Sequence, residues 1–468
     1  MGTGQKGIVT RLLDLFGRRQ AVSAASAEQA GEPFAAVVVT FPAPDGAPWG
    51  EQVAMALEGR GAISVVRASA IESDGPATVI RLRQMLAETG GDVAVWNEGS
   101  DRSLRLRWLA ASYPDEDRPG GFGANVRLET PLPLDRGLAD LVFAATLAAI
   151  RPVDEERLRL HGRLLDTAAG LAAVAGETPP FFAEPRQQAT IRLCFGHVAA
   201  AAAMAGNDPT GWLKRAVAAY GRGLEGLPPD DLPPVEEATA QRRLATALVA
   251  LAERTEDDIA CLRQAVTAFC AAAEILPRAM MPGEWAAEQM RLGTALYRLD
   301  QRTGDASLLR DAIGAFQSAS QVFTRVETPL RWAEAMHGLA QTLQVYGDQS
   351  RNPDILRKAV DACRAALDVR TQESDQGGWA ATLNTLGSAL FLLDKHGDDS
   401  SHLDEAASLL RTAATTFHDL GATKPALVAE RNLAHVERLS RQRRDRPAAP
   451  PGWADEPAPA AEPPAEER

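Results

Sequence analysis

Between about Pro185 and Ser440 apolar residues recur every three to four positions, the spacing that puts one face of an α-helix against a core. The same set of positions then repeats in register. Trp285, Trp332 and Trp379 are each followed seven residues later by Leu292, Leu339 and Leu386, and four further on by Leu296, Leu343 and Leu390. A second half repeats beside it, as Leu309, Leu356 and Leu403, then Ala312, Ala359 and Ala406, then Phe316, Cys363 and Leu410, then Ala319, Ala366 and Ala413. Every row, in both halves, steps by 47 residues. Stretches such as QRTGDAS (301–307) and YGDQSRNP (346–353) supply Gly, Asp, Ser and Pro between the two apolar runs, so each unit is expected to be helix, turn, helix.

Upstream, QRRLATALVAL (241–251) with Leu262, Ala265, Phe269 and Ala272 forms another unit, and a fainter one starts near Gln187 and carries Leu213, Ala216, Tyr220 and Leu224. Downstream, Leu433 lies on a lone helix. The pattern therefore predicts five helical hairpins and a closing helix. One hairpin has apolar residues on both sides and cannot bury them alone, so neighbours stack into an α-solenoid.

The chain before the hairpins has another period. FAAVVVTF (34–41), Ile63–Arg67 and Asp92–Trp96 are short β-branched runs, and SLRLRWLAASY alternates Leu104, Leu106 and Trp108 with Arg105 and Arg107. Trp49–Gly59, Ala77–Thr89 and residues 138–150 have helical spacing, giving the order β-α-β-α-β-β-β-α and a small α/β domain. The expected organisation is an amphipathic helix and linker (1–33), the α/β domain (34–152), a connecting helix and loop (153–184), the solenoid (185–440) and a disordered tail rich in Pro, Ala and Glu (441–468). The overall class is mainly α, with the solenoid expected to fold without residues 1–175.

Trp285, Leu292-Gly293 and Leu296, followed by Ala312, Phe316 and Ala319, resemble the tetratricopeptide repeat. Here Trp stands seven residues before Leu, the turn is longer, and the period is 47 where the standard motif has about 34. HEAT and armadillo repeats share the longer period but lack the small-x-x-x-large-x-x-small second helix. The α/β region, with Phe41-Pro42, Trp49 and GGDVAVWNEGSDRSLRLRWL, is similar to the N-terminal domain of TolB and its cytoplasmic relatives, though no cyclase or winged-helix domain accompanies it. The tetratricopeptide resemblance implies groove residues at fixed offsets on the first helices. These are Arg242; then Met290, Thr294, Tyr297 and Arg298; then His337, Gln341 and Gln344; then Asn384, Ser388 and Phe391. They describe a neutral, hydrogen-bonding groove with two aromatics, suited to a peptide or helix and lacking the paired Lys and Arg of the carboxylate-clamp subclass. The alternative is that Tyr297 and Phe391 only pack between helices.

Charge and candidate chemistry narrow the picture further. Lys+Arg at 49 against Asp+Glu at 62 gives −13, which disfavours nucleic acid as partner. The four cysteines (Cys194, Cys261, Cys270, Cys363) form no CxxC pair and suit a reducing, cytoplasmic compartment. The seven histidines are scattered without HExxH, so no metal is expected, and Cys363 occupies a core position of the repeat and is not a nucleophile served by His337. GGFG (120–123) lacks the Lys-Ser/Thr of a phosphate loop and reads as a flexible turn. Neither a cofactor nor a catalytic residue is expected. Residues 6–19 set Ile8, Leu12, Leu13 and Phe16 on one face beside Lys6, Arg11, Arg18 and Arg19, a pattern open to weak membrane-surface contact, docking or plain disorder. The functional expectation is a non-enzymatic adaptor that binds a protein partner. The rivals are a small-ligand sensor in the α/β domain and an accessory subunit derived from a cyclase-like parent.

Overall fold

In the computed structural model the described residues are 36–40, 49–60, 63–68, 76–98, 103–112, 117–151, 155–172, 183–227, 232–256, 258–397 and 401–445. Residues 6–19 and most of the C-terminal tail lie outside them. The described residues form two compact units, 1–342 and 343–468.

The first unit opens with strand β1 (Ala36–Thr40), helix α1 (Trp49–Glu58), β2 (Ile63–Arg67), α2 (Pro76–Thr89), β3 (Val93–Asn97), β4 (Ser103–Ala110), β5 (Arg127–Pro131) and α3 (Arg136–Ala149). They make one mixed sheet in the order β2-β1-β3-β4-β5. β1 pairs in parallel with β2 and β3, with Val38 opposite both Val65 and Val93. β3, β4 and β5 are antiparallel, pairing Val95 with Trp108 and Leu106 with Leu128. Alternation along β4 sends Leu104, Leu106 and Trp108 into a core with Val53 and Leu57 of α1 and Leu141 of α3. The other face meets α2, where Leu82 and Leu86 cover Ala94, Trp96 and Leu109. Trp108 Nε1 donates to Thr146 Oγ1 of α3 at 3.0 Å, so its polar edge is satisfied inside the core.

Next come α4 (Glu155–Leu171), α5 (Pro185–Ala205) with α6 (Pro209–Glu225), α7 (Pro234–Ala252) with α8 (Asp258–Ile275), α9 (Pro282–Thr303) with α10 (Ala306–Ser320), and α11 (Pro329–Ser350) with α12 (Pro353–Leu367). The chain ends in α13 (Gln376–His396) with α14 (Leu403–Asp419) and a closing helix α15 (Thr423–Arg444). This is a helical-repeat solenoid of five hairpins and a closing helix. The closing helix continues to Arg444, into the segment read from sequence as tail. Many of these helices open on Pro, whose missing N–H costs nothing in a first turn, and Asp208, Asp305, Asn352 and Asp375 accept backbone N–H groups at helix starts.

Within each unit the repeating small residues are the contact points. Ala286, Ala312 and Ala319 in the first unit, and Ala359, Ala366, Ala380, Ala406 and Ala413 in the second, are all fully buried, which lets helix axes approach closely. Arg278 lies over the ring of Trp285 at 4.5 Å and Arg325 over Trp332 at 5.8 Å, so the tryptophans are shared between core and a capping cation. The ring of Phe316 is clasped by Gly293 and Gly338: a Cβ at Gly293 would come within 2.9 Å of it, and one at Gly338 would be closer still. Gly338→Ala should therefore destabilise the protein by about 1–3 kcal/mol through overpacking, measured by denaturant unfolding, whereas Gly314→Ala, with open space around it, should be neutral or stabilising.

Two sequence expectations change at the junction of sheet and hairpins. The GGFG segment is packed in place. Gly120 takes φ +84° and a Cβ there would meet Ala201 Cα at 2.6 Å, Gly121 rests on the Arg243 guanidinium, and Phe122 is buried on Trp108 and His197. The α/β domain keeps only the α2 face of its sheet as a core of its own; on the other face one buried apolar cluster runs from Val53 through the sheet, α3 and α4 to Phe195, Tyr220 and Leu251. Solenoid independence from residues 1–175 does not fit this arrangement.

Candidate partner-binding cavity

Helices α7, α9 and α11 are the first helices of successive hairpins, and residues three or four apart on each face the same side. Within the first unit they enclose a cavity of about 490 Å³. Its apolar floor includes Val249, Met290, Phe269 and Phe316, the two phenylalanines coming from the second helices α8 and α10. Its polar walls carry Thr246 of α7, Thr294, Tyr297 and Arg298 of α9, and His337 and Gln341 of α11. One side is closed by Asp117–Pro119, from the loop between β4 and β5.

Five arginines (Arg118, Arg254, Arg291, Arg298, Arg331) and three carboxylates (Asp117, Glu253, Glu334) line this cavity. Several are fixed by partners: Arg298 on Glu253 at 3.1 Å, Arg331 on Glu334 at 3.1 Å, and Arg291 on both Asp117 at 2.8 Å and Glu288 at 3.1 Å. The groove is thus richer in cations than the neutral surface expected from sequence, in a chain whose net charge is −13. Burial, and secondarily Asp300, pushes the Tyr297 hydroxyl up to about 12, so it faces the cavity as a neutral phenol at physiological pH. Burial likewise raises Glu288 above the ordinary carboxylate range, against the opposing pull of Arg291 and Arg242.

Six of the sequence-derived groove residues meet here: Met290, Thr294, Tyr297, Arg298, His337 and Gln341. Met290 is buried in the floor, Tyr297 is half-buried, and Thr294 and Arg298 are exposed. The remaining five lie elsewhere. Arg242 turns away from the cavity, held by Glu288 at 3.0 Å and Thr239 Oγ1 at 3.2 Å. Gln344 belongs to the second unit. Asn384 and Ser388 are occupied by the closing helix, Asn432 Nδ2 donating to Asn384 Oδ1 and Ser388 Oγ at 3.1 Å each, and Phe391 stacks on His435. The last hairpin has its face covered by α15, which the transfer of offsets did not anticipate. Missed from sequence were Arg118 and its loop, which reach the cavity from over a hundred positions away in the chain, and Arg254, Arg291 and Arg331, whose helical spacing was available.

Cys363 is buried and burial pushes its thiol up to about 12, so the thiolate is scarce at neutral pH. Among the described residues no group of three or more His, Cys, Asp or Glu is arranged to hold a metal ion, and no helix is long and apolar enough to cross a membrane.

No protein-family profile matches the chain, and no curated protein matches it. Among solved structures it is similar to a circular tandem repeat protein with novel repeat topology and enhanced subunit contact surfaces, at 16% identity and TM-score 0.28, over 66% of this chain and 80% of that one. It is also similar to Rap protein complexed with competence and sporulation factor, at 15% identity and TM-score 0.20, over 67% of this chain and 90% of that one. At such scores neither likeness bears on function, and the repeat fold rests on the helices described above.

Proposed function

We propose that the protein is a non-enzymatic adaptor of tetratricopeptide type, with a long repeat and a TolB-N-terminal-like domain, and that it holds a segment of a protein partner in the cavity of its first unit. The observation that carries this reading is the convergence of three successive first helices on one cavity with an apolar floor and exposed hydrogen-bonding walls. Such a site matches an extended or helical segment that buries one or two apolar side chains and is fixed by polar groups around them. The surplus of arginines favours a segment carrying carboxylates.

A random-peptide display selection on the intact protein tests this. Binders should lose at least tenfold in affinity on Thr294→Arg with Gln341→Arg, which fills the cavity from two helices, and should be enriched in Asp and Glu. Thr294 is exposed and Gln341 half-exposed, so the melting temperature should stay nearly unchanged. Selected peptides that bind the filled variant as well as the parent would place the binding surface elsewhere.

A further inference from the structure

A second, smaller cavity of about 150 Å³ lies where the α/β domain meets the first hairpins, inside the same compact unit. Its polar lining is Arg83 of α2, Arg242 and Arg243 of α7, Thr239 of the same helix, and Asn125 in the loop before β5. Leu109, Val79 and Val126 supply apolar wall. The described residues that line it include three guanidinium groups and no carboxylate.

We infer that this junction pocket is a binding site for a small oxyanion, of the phosphate or carboxylate class, gripped by Arg83, Arg242 and Arg243. Three observations converge on it. Arg243 is 1% exposed and Arg242 5% exposed, so their charges sit where water screens them little and an anion is worth most. Guanidinium presents a planar fork of five donors, the geometry that oxyanions accept two at a time. The volume has room for several waters, hence for an anion with a handful of oxygens, and is too small for a peptide segment.

The guanidiniums are held in place by neighbouring groups. Arg243 Nη1 donates to the carbonyl oxygen of Arg118 at 3.1 Å, and Gly121 lies flat against the same group, where a Cβ would come within 2.8 Å of Cζ. Arg242 is steadied by Glu288 and Thr239, and Arg83 reaches the Ala111 carbonyl oxygen at 3.4 Å from the rim. The positive field extends into the core. After burial itself, Arg243 and Arg242 are what hold His197 well below the usual histidine range. An anion in the pocket would lie between the sheet domain and α7 and tie the two together. Arg242 shares Glu288 with Arg291, which lines the larger cavity. The inference does not depend on the peptide-binding reading.

Calorimetric titration and thermal melting of the full chain test it, with inorganic phosphate and succinate as separate probes and sodium chloride at matched ionic strength as control. At least one oxyanion should bind saturably and raise the melting temperature more than chloride does. Preference for phosphate or succinate assigns the class. Arg83→Ala, a half-exposed rim residue, should weaken that binding at least tenfold, and Asn125→Ala should weaken it too, each with a ligand-free melting temperature near the parent's. The inference is overturned if neither oxyanion binds saturably, if chloride does as much, or if both variants bind like the parent.

Discussion

A chain beginning at Ala183 should lose the cooperative melt of its first two hairpins, although every hairpin of the repeat remains in it. Residues Thr190, Cys194, His197 and Ala201 of α5 follow helical spacing, and at three of these four the α/β domain is the neighbour. Thr190 Oγ1 accepts from Glu129 N at 3.0 Å, Phe122 lies on His197, and Gly120 rests on Ala201. Ile191, Phe195 and Val198 on the same helix are buried in the core shared with the sheet, α3 and α4. Uncovering three large apolar side chains forfeits about 5–9 kcal/mol, comparable to the whole stability of an ordinary domain. Circular dichroism and scanning calorimetry of residues 183–445 decide the matter. A single transition at the full-length midpoint would show that the repeats are self-sufficient.

Glu236→Ala should cost about 3–5 kcal/mol, the usual result of removing one partner from a buried ionic cluster. The Glu236 carboxylate, on the first turn of α7, accepts from Arg107 of β4 and faces Arg127 of β5 at 3.2 Å. Those two side chains are only 13% and 5% exposed, so truncation takes a carboxylate from two cations that water barely reaches. Arg107 is also held by Glu98, and a neighbouring pair, Arg186 with Glu129 at 2.9 Å, joins α5 to β5 in the same way. Glu284→Ala is the control: this acid lies 3.5 Å from Arg242 but is 53% exposed, and its loss should cost no more than about 1 kcal/mol. Equal urea midpoints for the two variants would mean that the sheet and α7 are not joined through Glu236.

What the sequence determined by itself was whatever depends on near neighbours. Helical spacing and the repeated Ala, Leu and Phe positions announce the hairpins, because residues three and four apart share a helix face whatever surrounds them. Alternation of Leu104, Leu106 and Trp108 with two arginines announces β4 and its buried face for the same reason. Six of the positions that the tetratricopeptide resemblance implies line one cavity, since helix faces bring them together. What lies opposite each face was decided only by the tertiary structure. Arg107 meets Glu236 across 129 positions, Arg291 meets Asp117 across 174, and neither pairing leaves a periodic trace. The same limit hid the cationic lining of the cavity, the closing helix lying over Asn384 and Ser388, and the packing of Gly120 on Ala201. A period records which side of an element is apolar; the partner that covers that side is chosen by shape and charge when distant segments come together.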